Sequence, residues 1–282
     1  MNKNSIQIVL VLYKTNLVDS LCYKSLIQNI DSFNIEYELI IYNNSEEITV
    51  LNKKDIFVVN SAKNEFLVGA YAYGLKRAMS ESRKWLLLLD QDTIITKDFF
   101  EELNVVLSTN KDKYAAIVPI LKQRNSHLSP VSYYPIKGPY WKCRSINSSN
   151  YEKIFLKGNE CISAFNSAAL INTKYINEIG GFSESYPLDM LDHWYFFQFF
   201  KSKKPVFVLK STLEQRLSLL DKEGMSIDRY KIYLEAERKF AGEIGVITII
   251  SYKIRLTLHL ISQLIRRHKR KYITYTIKNL FK

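Results

Sequence analysis

The sequence predicts an α/β fold: a mostly parallel central sheet flanked by helices. Three observations carry this. Residues 6–13 (IQIVLVLY), 37–42 (YELIIY) and 85–89 (WLLLL) are continuous apolar runs without polar alternation, the pattern of strands buried on both faces. Segments with helical spacing stand between them, at 17–31 and 66–80. The resulting order, strand then helix then strand, is that of crossover connections between parallel strands.

Taken in order, residues 6–13 form the first strand; the run is too short for a secretion signal or a membrane span. Leu17, Leu21, Leu26, Ile27 and Ile30 place a helix over 17–31. The strand at 37–42 ends on Asn43-Asn44-Ser45, a turn signal. Residues 56–59 (IFVV) form a short third strand, 66–80 a helix and 85–89 the fourth strand. Beyond these, 115–121 and 162–171 read as strands separated by a loop rich in Ser, Asn and Lys. An aromatic helix is expected at 187–201, a short strand at 205–209, and mostly helix from Arg229 onward. The chain shows no repeat and no Gly/Pro-rich linker. Its 282 residues suit one domain with an appendage, divided at 1–240 and 241–282.

In parallel sheets, ligands bind beyond the carboxyl ends of the strands. Asn43 and Asp90 stand at two such ends. Asp90-Gln91-Asp92 sets two carboxylates one residue apart at a strand tip, where their repulsion must be offset. A divalent cation holding a phosphate-bearing ligand would offset it; hard oxygen ligands suit Mn²⁺ or Mg²⁺. The plainer alternative is a strand end followed by a helix cap at Asp92 or Thr96.

At LLLLDQDT the chain resembles the GT-A-fold family 2 glycosyltransferases, and among them the bacterial rhamnosyltransferase-like branch. The resemblance spans residues 6 to about 240. IQIVLVLYKTN resembles the opening strand, YELIIYNNS the strand ending in Asp-Asn and a small residue, and NEFLVGAYAYGLKRAM the Asn-x(n)-Gly-Ala-x-x-x-Gly helix. LLLLDQDT resembles the Asp-x-Asp motif, and EIGGFSESYPLDMLDHWYF the Gly-Gly-Phe-x-Glu and base-bearing segments. The chain departs from the pattern in four places. Asn43 replaces an Asp, Leu191 a Glu and Gln198 an Arg, and Gln215 lies near a common His.

The resemblance implies an inverting, metal-dependent transferase that moves a sugar from a nucleotide donor to a bacterial surface polysaccharide or a lipid-linked precursor. The favoured donor is dTDP-rhamnose; UDP-hexose and UDP-galactofuranose are alternatives, as is an inactive scaffold that binds nucleotide sugar. Asp90 and Asp92 would hold Mn²⁺ or Mg²⁺. Tyr13, Thr15, Asn43, Asn44, Asn64, Asp90 and Gln91 would line the donor pocket, with Ser45 beside them. Gly69, Ala70 and Gly74 would let a helix approach the sheet. Asp192 would take the acceptor proton. Asp189, His193 and Trp194 would face the acceptor, although Asp189 also reads as a helix cap after Pro187. The aromatic run behind Trp194 reads mostly as core.

Cys22, Cys143 and Cys161 are scattered, and no signal peptide is legible, which suits a reducing cytoplasm. The net charge of +12 is concentrated at one end: after Glu243 there is no Asp or Glu, and nine Lys or Arg. The remainder lacks the basic stripe that phosphate tracking needs, which argues against a nucleic-acid partner. Apolar residues at 250, 254, 258, 261, 264 and 265 form a helical stripe followed by RRHKRK. No stretch reaches transmembrane length. The expected partner of this tail is the anionic inner face of a cell membrane, which would place the protein at the membrane periphery. Packing of the stripe on the domain, or in a homodimer, is the alternative.

Overall fold

The computed structural model describes residues 5–51, 56–109, 113–135, 142–147, 159–216 and 225–282, leaving aside the side chains of residues 267 and 268. In chain order the first elements are β1 (Ile6–Leu12), α1 (Leu21–Asn29), β2 (Tyr37–Asn43), β3 (Ile56–Asn60), α2 (Phe66–Ser80), β4 (Trp85–Asp90), β5 (Thr93–Ile94) and α3 (Lys97–Ser108). Then come β6 (Ala116–Gln123), β7 (Ser126–Ser129), β8 (Val131–Tyr133), β9 (Arg144–Ser145), β10 (Cys161–Ser163), β11 (Ala169–Asn172) and α4 (Thr173–Glu178). The chain continues through α5 (Leu191–Lys201), β12 (Val206–Gln215), α6 (Ile227–Ile244), α7 (Val246–Ile265) and α8 (Ile273–Leu280).

Among the described residues, nine strands form the main sheet in the order β3-β2-β1-β4-β11-β6-β12-β5, with β7 on β6. β3, β2, β1 and β4 run parallel, as do β6 and β12. β11 is antiparallel to both of its neighbours. Period-two alternation divides the side chains between two cores. From β1 and β4, Val9, Val11, Leu86 and Leu88 pack on one face. Ile8, Leu10, Leu87 and Leu89 pack on the other. Trp85 to Leu89 are all at most 1% exposed, and each such side chain contributes about 2 kcal/mol, which anchors the carboxylates at the end of the strand.

Several boundaries differ from the sequence reading. The helix expected at 17–31 is α1 with a single 3-10 turn on each side, at Leu17–Asp19 and Ile30–Ser32. Ser20 starts α1 because its hydroxyl accepts the Tyr23 N–H at 3.1 Å. The strand expected at 162–171 is two strands in two sheets: β10 joins β8 and β9, while β11 enters the main sheet. Ala168 makes the break with a φ of 58°. The aromatic helix begins at Leu191, not 187, after Met190 turns the backbone left-handed at a φ of 67°. β12 runs well past residue 209, and α3 was not among the predicted elements.

α2 lies directly on the sheet. A Cβ at Gly74 would sit 2.2 Å from Val9 Cγ2, so only glycine permits this approach. The start of α2 is held from two sides. The Pro187 carbonyl accepts the N–H groups of Leu67 and Val68, each at 3.1 Å, and the Asn44 side chain accepts from Glu65 N–H and donates to the Phe66 carbonyl. At the other end of the chain, Leu234, Phe240, Tyr252 and Leu256 share a core with the sheet. The 240/241 boundary drawn from sequence falls inside α6.

Candidate active site

Register brings the predicted tips together: Leu12 pairs with Asn43, and Val11 with Asp90. Past Asp90 the chain turns at Gln91-Asp92 and enters β5, which pairs with the end of β12. The turn is pinned. The Gln91 carbonyl accepts the Ser20 hydroxyl at 3.0 Å and the Cys22 amide at 3.1 Å. The Gln91 side chain accepts Tyr13 N–H at 2.8 Å and donates to the Tyr13 carbonyl at 3.2 Å. Gln91, expected to line the donor pocket, thus ties two strand ends together. Of the two residues read as a helix cap, Thr96 holds the cap position of α3, though its side chain makes no capping bond, and Asp92 does not.

Asp90 is half-buried and accepts the Tyr71 hydroxyl at 3.0 Å. Its amide reaches Ser167 Oγ at 3.4 Å, and Ser167 in turn bonds Thr93. Burial, together with the charges of Asp92 and Asp192, pushes the Asp90 carboxyl up to about 7, against the opposing pull of the Tyr71 bond. Burial also raises Asp92, which accepts from Gln215 Nε2 at 3.5 Å. Asp192, in the first turn of α5, is raised by burial and partly relieved by His193, whose amide donates to Oδ1 at 2.8 Å. Tyr195, buried between them, has its hydroxyl pushed up by burial and by both Asp192 and Asp90. Three carboxylates therefore share one electrostatic neighbourhood.

The residues expected to line a donor pocket mostly brace one another. Asn43 donates through Nδ2 to the Glu47 carbonyl at 2.6 Å and to Asn60 Oδ1 at 2.9 Å, and accepts Ser45 N–H at 2.9 Å. An Asp could not make the two donations, which gives the departure at this position a structural reason. Ser45 Oγ accepts Lys14 N–H at 2.8 Å. Thr15 Oγ1 donates to the Tyr13 carbonyl at 3.3 Å, and Asn64 Oδ1 accepts Phe66 N–H at 2.9 Å. The Tyr13 ring is exposed.

On the opposite side, Asp189 is no helix cap: it pairs with Arg229 of α6 at 3.3 Å, and Met190 holds the cap position without a side-chain bond. His193 Nδ1 shares a hydrogen bond of 2.8 Å with Ser163 Oγ, and its ring packs on Phe240. Trp194 stacks on Tyr186 at 6.2 Å and is half-buried. Behind it, Tyr195, Phe196, Phe197 and Phe199 are core. Sequence reasoning missed Tyr71, Asn166 and Ser167. Asn166 accepts the Tyr195 hydroxyl at 3.1 Å. Tyr71 stood in plain view one position from Ala70, but nothing in the local pattern aims it at Asp90.

Among the described residues, no three His, Cys, Asp or Glu side chains converge as a cation cage. The oxygens that are present nonetheless fit a divalent cation completed by phosphate, since Mg²⁺ needs only one or two carboxylates of its own. The like charges of Asp90 and Asp92 repel each other, and Gln215 Oε1 is buried without a hydrogen-bond partner among the described residues.

A mixed sheet flanked by helices, parallel through β3-β2-β1-β4 and with paired carboxylates at the tip of its fourth strand, is that of the GT-A class of fold. The chain belongs to glycosyl transferase family 2, whose model matches residues 20–180. No curated protein matches it in sequence. Among solved structures it is similar to TarS residues 1–349 from S. aureus, in complex with UDP-GlcNAc. The identity is 13% and the TM-score 0.55, with coverage of 98% of this chain and 75% of that one. It is also similar to the mannosyltransferase PcManGT from Pyrobaculum calidifontis, in complex with GDP-Man and Mn²⁺. There the identity is 10% and the TM-score 0.53, with coverage of 98% and 84%.

Proposed function

We propose that this chain is an inverting, metal-dependent glycosyltransferase that uses a nucleotide-sugar donor. Its acceptor is a hydroxyl of a bacterial surface polysaccharide or lipid-linked precursor. The sugar favoured by the motif resemblance is rhamnose from dTDP-rhamnose. The observation that carries the reading is the grouping of Asp90, Asp92 and Asp192, each with its carboxyl raised above the ordinary aspartate range. The solved relatives bind UDP-GlcNAc and GDP-Man, the latter with Mn²⁺, which supports a nucleotide sugar as the class of donor.

Asp90 and Asp92 would hold the cation, with Gln215 Oε1 as a further oxygen at the same turn. When bound, a divalent cation supplies Lewis-acid stabilisation to a departing diphosphate. Asp192 receives the acceptor proton; its burial makes it a stronger base than an exposed carboxylate. The hydrogen bond from the His193 amide orients it, and the bond from His193 to Ser163 holds that imidazole in place. Tyr71 positions Asp90. The Asn43-Asn44-Ser45 turn and the Tyr13 backbone form the floor on the nucleoside side.

A thermal-shift screen of nucleotide sugars with and without Mn²⁺ tests this, since a ligand stabilises the fold as its concentration exceeds its Kd. dTDP-rhamnose should raise the melting point, and Mn²⁺ should increase the rise. Asp192→Asn should retain that response while losing about 10²–10⁴-fold in transfer. If no donor shifts the melting point, or the Asn variant transfers normally, the reading is wrong.

A further inference from the structure

The six apolar residues of the C-terminal stripe all face away from the protein. Ile250, Ile254, Leu258, Ile261, Leu264 and Ile265 are each between 49% and 75% exposed. The opposite face of α7 is the one that packs: Thr248, Tyr252, Leu256 and Gln263 are buried. The helix is locked in this rotation by polar bonds in its interface. The Tyr252 hydroxyl donates to the Leu234 carbonyl at 3.3 Å, and Gln263 Nε2 donates to the Tyr230 hydroxyl at 2.9 Å. Arg255 pairs with the buried Glu237 of α6. Rolling the stripe inward would break all three. Among the described residues, the stripe therefore does not pack on its own domain.

An aliphatic band along a helix of about 30 Å is larger than scattered surface apolar residues explain, and such bands mark a protein or membrane contact. Charge selects between the two. Lys253 lies at the edge of the band, and Arg266, Lys269, Arg270, Lys271 and Lys278 follow it, with no acidic residue after Glu243. A second copy seated on this face would bring like charges together, whereas an anionic lipid surface complements them. Among the described residues no helix is long and apolar enough to cross a membrane, so the geometry is that of a helix lying in the interface plane.

We propose that the outward face of α7, with the cationic segment that follows it, docks this protein on an anionic phospholipid bilayer. The inference is independent of the transfer reaction. The test is co-sedimentation of the full chain with vesicles of phosphatidylcholine alone and of phosphatidylcholine mixed with phosphatidylglycerol. The native chain should bind the mixed vesicles and not the neutral ones, and bind less as salt rises. Ile254→Asp with Leu258→Asp should lower the partition coefficient by about a hundredfold or more. Lys269→Gln, Arg270→Gln and Lys271→Gln together should lower it by about a hundredfold at low salt. This second set leaves the apolar face intact, so the test survives if the first variant does not fold. Asp192→Asn should bind like the native chain. Absence of binding, equal binding to both vesicle types, or unchanged binding of the charge variant would overturn the proposal. So would a dimer in light scattering that the Ile254/Leu258 variant returns to monomer without any vesicle binding.

Discussion

Asp90 offers a direct measure of the charge stored at the strand tip. The perturbation is Asp90→Asn, studied in chelator so that no cation intervenes. In the unfolded chain this carboxyl titrates at its ordinary value of 3.8; in the folded chain it titrates at about 7. Below pH 4 both states are protonated and the group contributes nothing to the pH dependence. Between these limits the folded state holds a proton that the unfolded state has released, so stability falls as pH rises. At about 1.4 kcal/mol for each pH unit, the loss reaches about 4 kcal/mol by pH 8. Asparagine does not titrate and can still accept the Tyr71 hydroxyl. The variant should therefore gain on the native protein between pH 4 and pH 8 by about 4 kcal/mol, or about 8 °C in melting temperature. Asp92 and Asp192 are present in both proteins, and because their charges act on Asp90 the difference between the two curves reports Asp90 together with its coupling to them. Urea unfolding at a series of pH values is the assay. Adding Mn²⁺ at pH 8 should then stabilise the native protein more than the variant. Parallel pH profiles for the two proteins would refute the reasoning.

Two further predictions concern the frame around the site. Glu38 receives Arg77 in a two-pronged pair, Nε to Oε1 at 2.9 Å and Nη2 to Oε2 at 3.0 Å, and this bond leads the effects that lower its carboxyl below 4.5. Its contribution is present above 4.5 and is lost as pH falls through the lowered folded value. Glu38→Gln should therefore cost about 2 kcal/mol at pH 7 and progressively less in acid, with donor binding unchanged, as chemical denaturation and thermal shift would read. Asn43→Asp restores the residue type common in the family but sets a carboxylate against two acceptor oxygens; it should cost at least about 2 kcal/mol in urea unfolding, and an unchanged midpoint would count against the bracing role.

Much of the parallel half was legible because short uninterrupted apolar runs between helical segments read as buried strands. Ile6–Leu12, Tyr37–Asn43 and Trp85–Asp90 each lie within one residue of their predicted ends. The 162–171 segment misled because its apolar content is continuous while its backbone is not: Ala168 turns left-handed and sends the two halves into different sheets. That same break delivers Asn166 and Ser167 to the site, which is why they were invisible in the sequence. Asp90, Asp92 and Asp192 were legible as motif residues, and the structure places them together. The roles of Asn43, Asn44 and Gln91 as braces depend on partners such as Asn60, Glu65 and Tyr13, far enough away in sequence that no local spacing reveals them.

The Pro187 carbonyl stands at the junction of two working parts. By taking two amides at the head of α2, it fastens the segment leading to Asp192 onto a helix whose glycine rests against β1. Any swing of that segment toward an incoming sugar would strip those amides of their acceptor and loosen the helix from the sheet. The Asp192 segment and the strand tip thus form a single stiff unit, and any adjustment of this region falls to parts of the chain that this fastening does not reach.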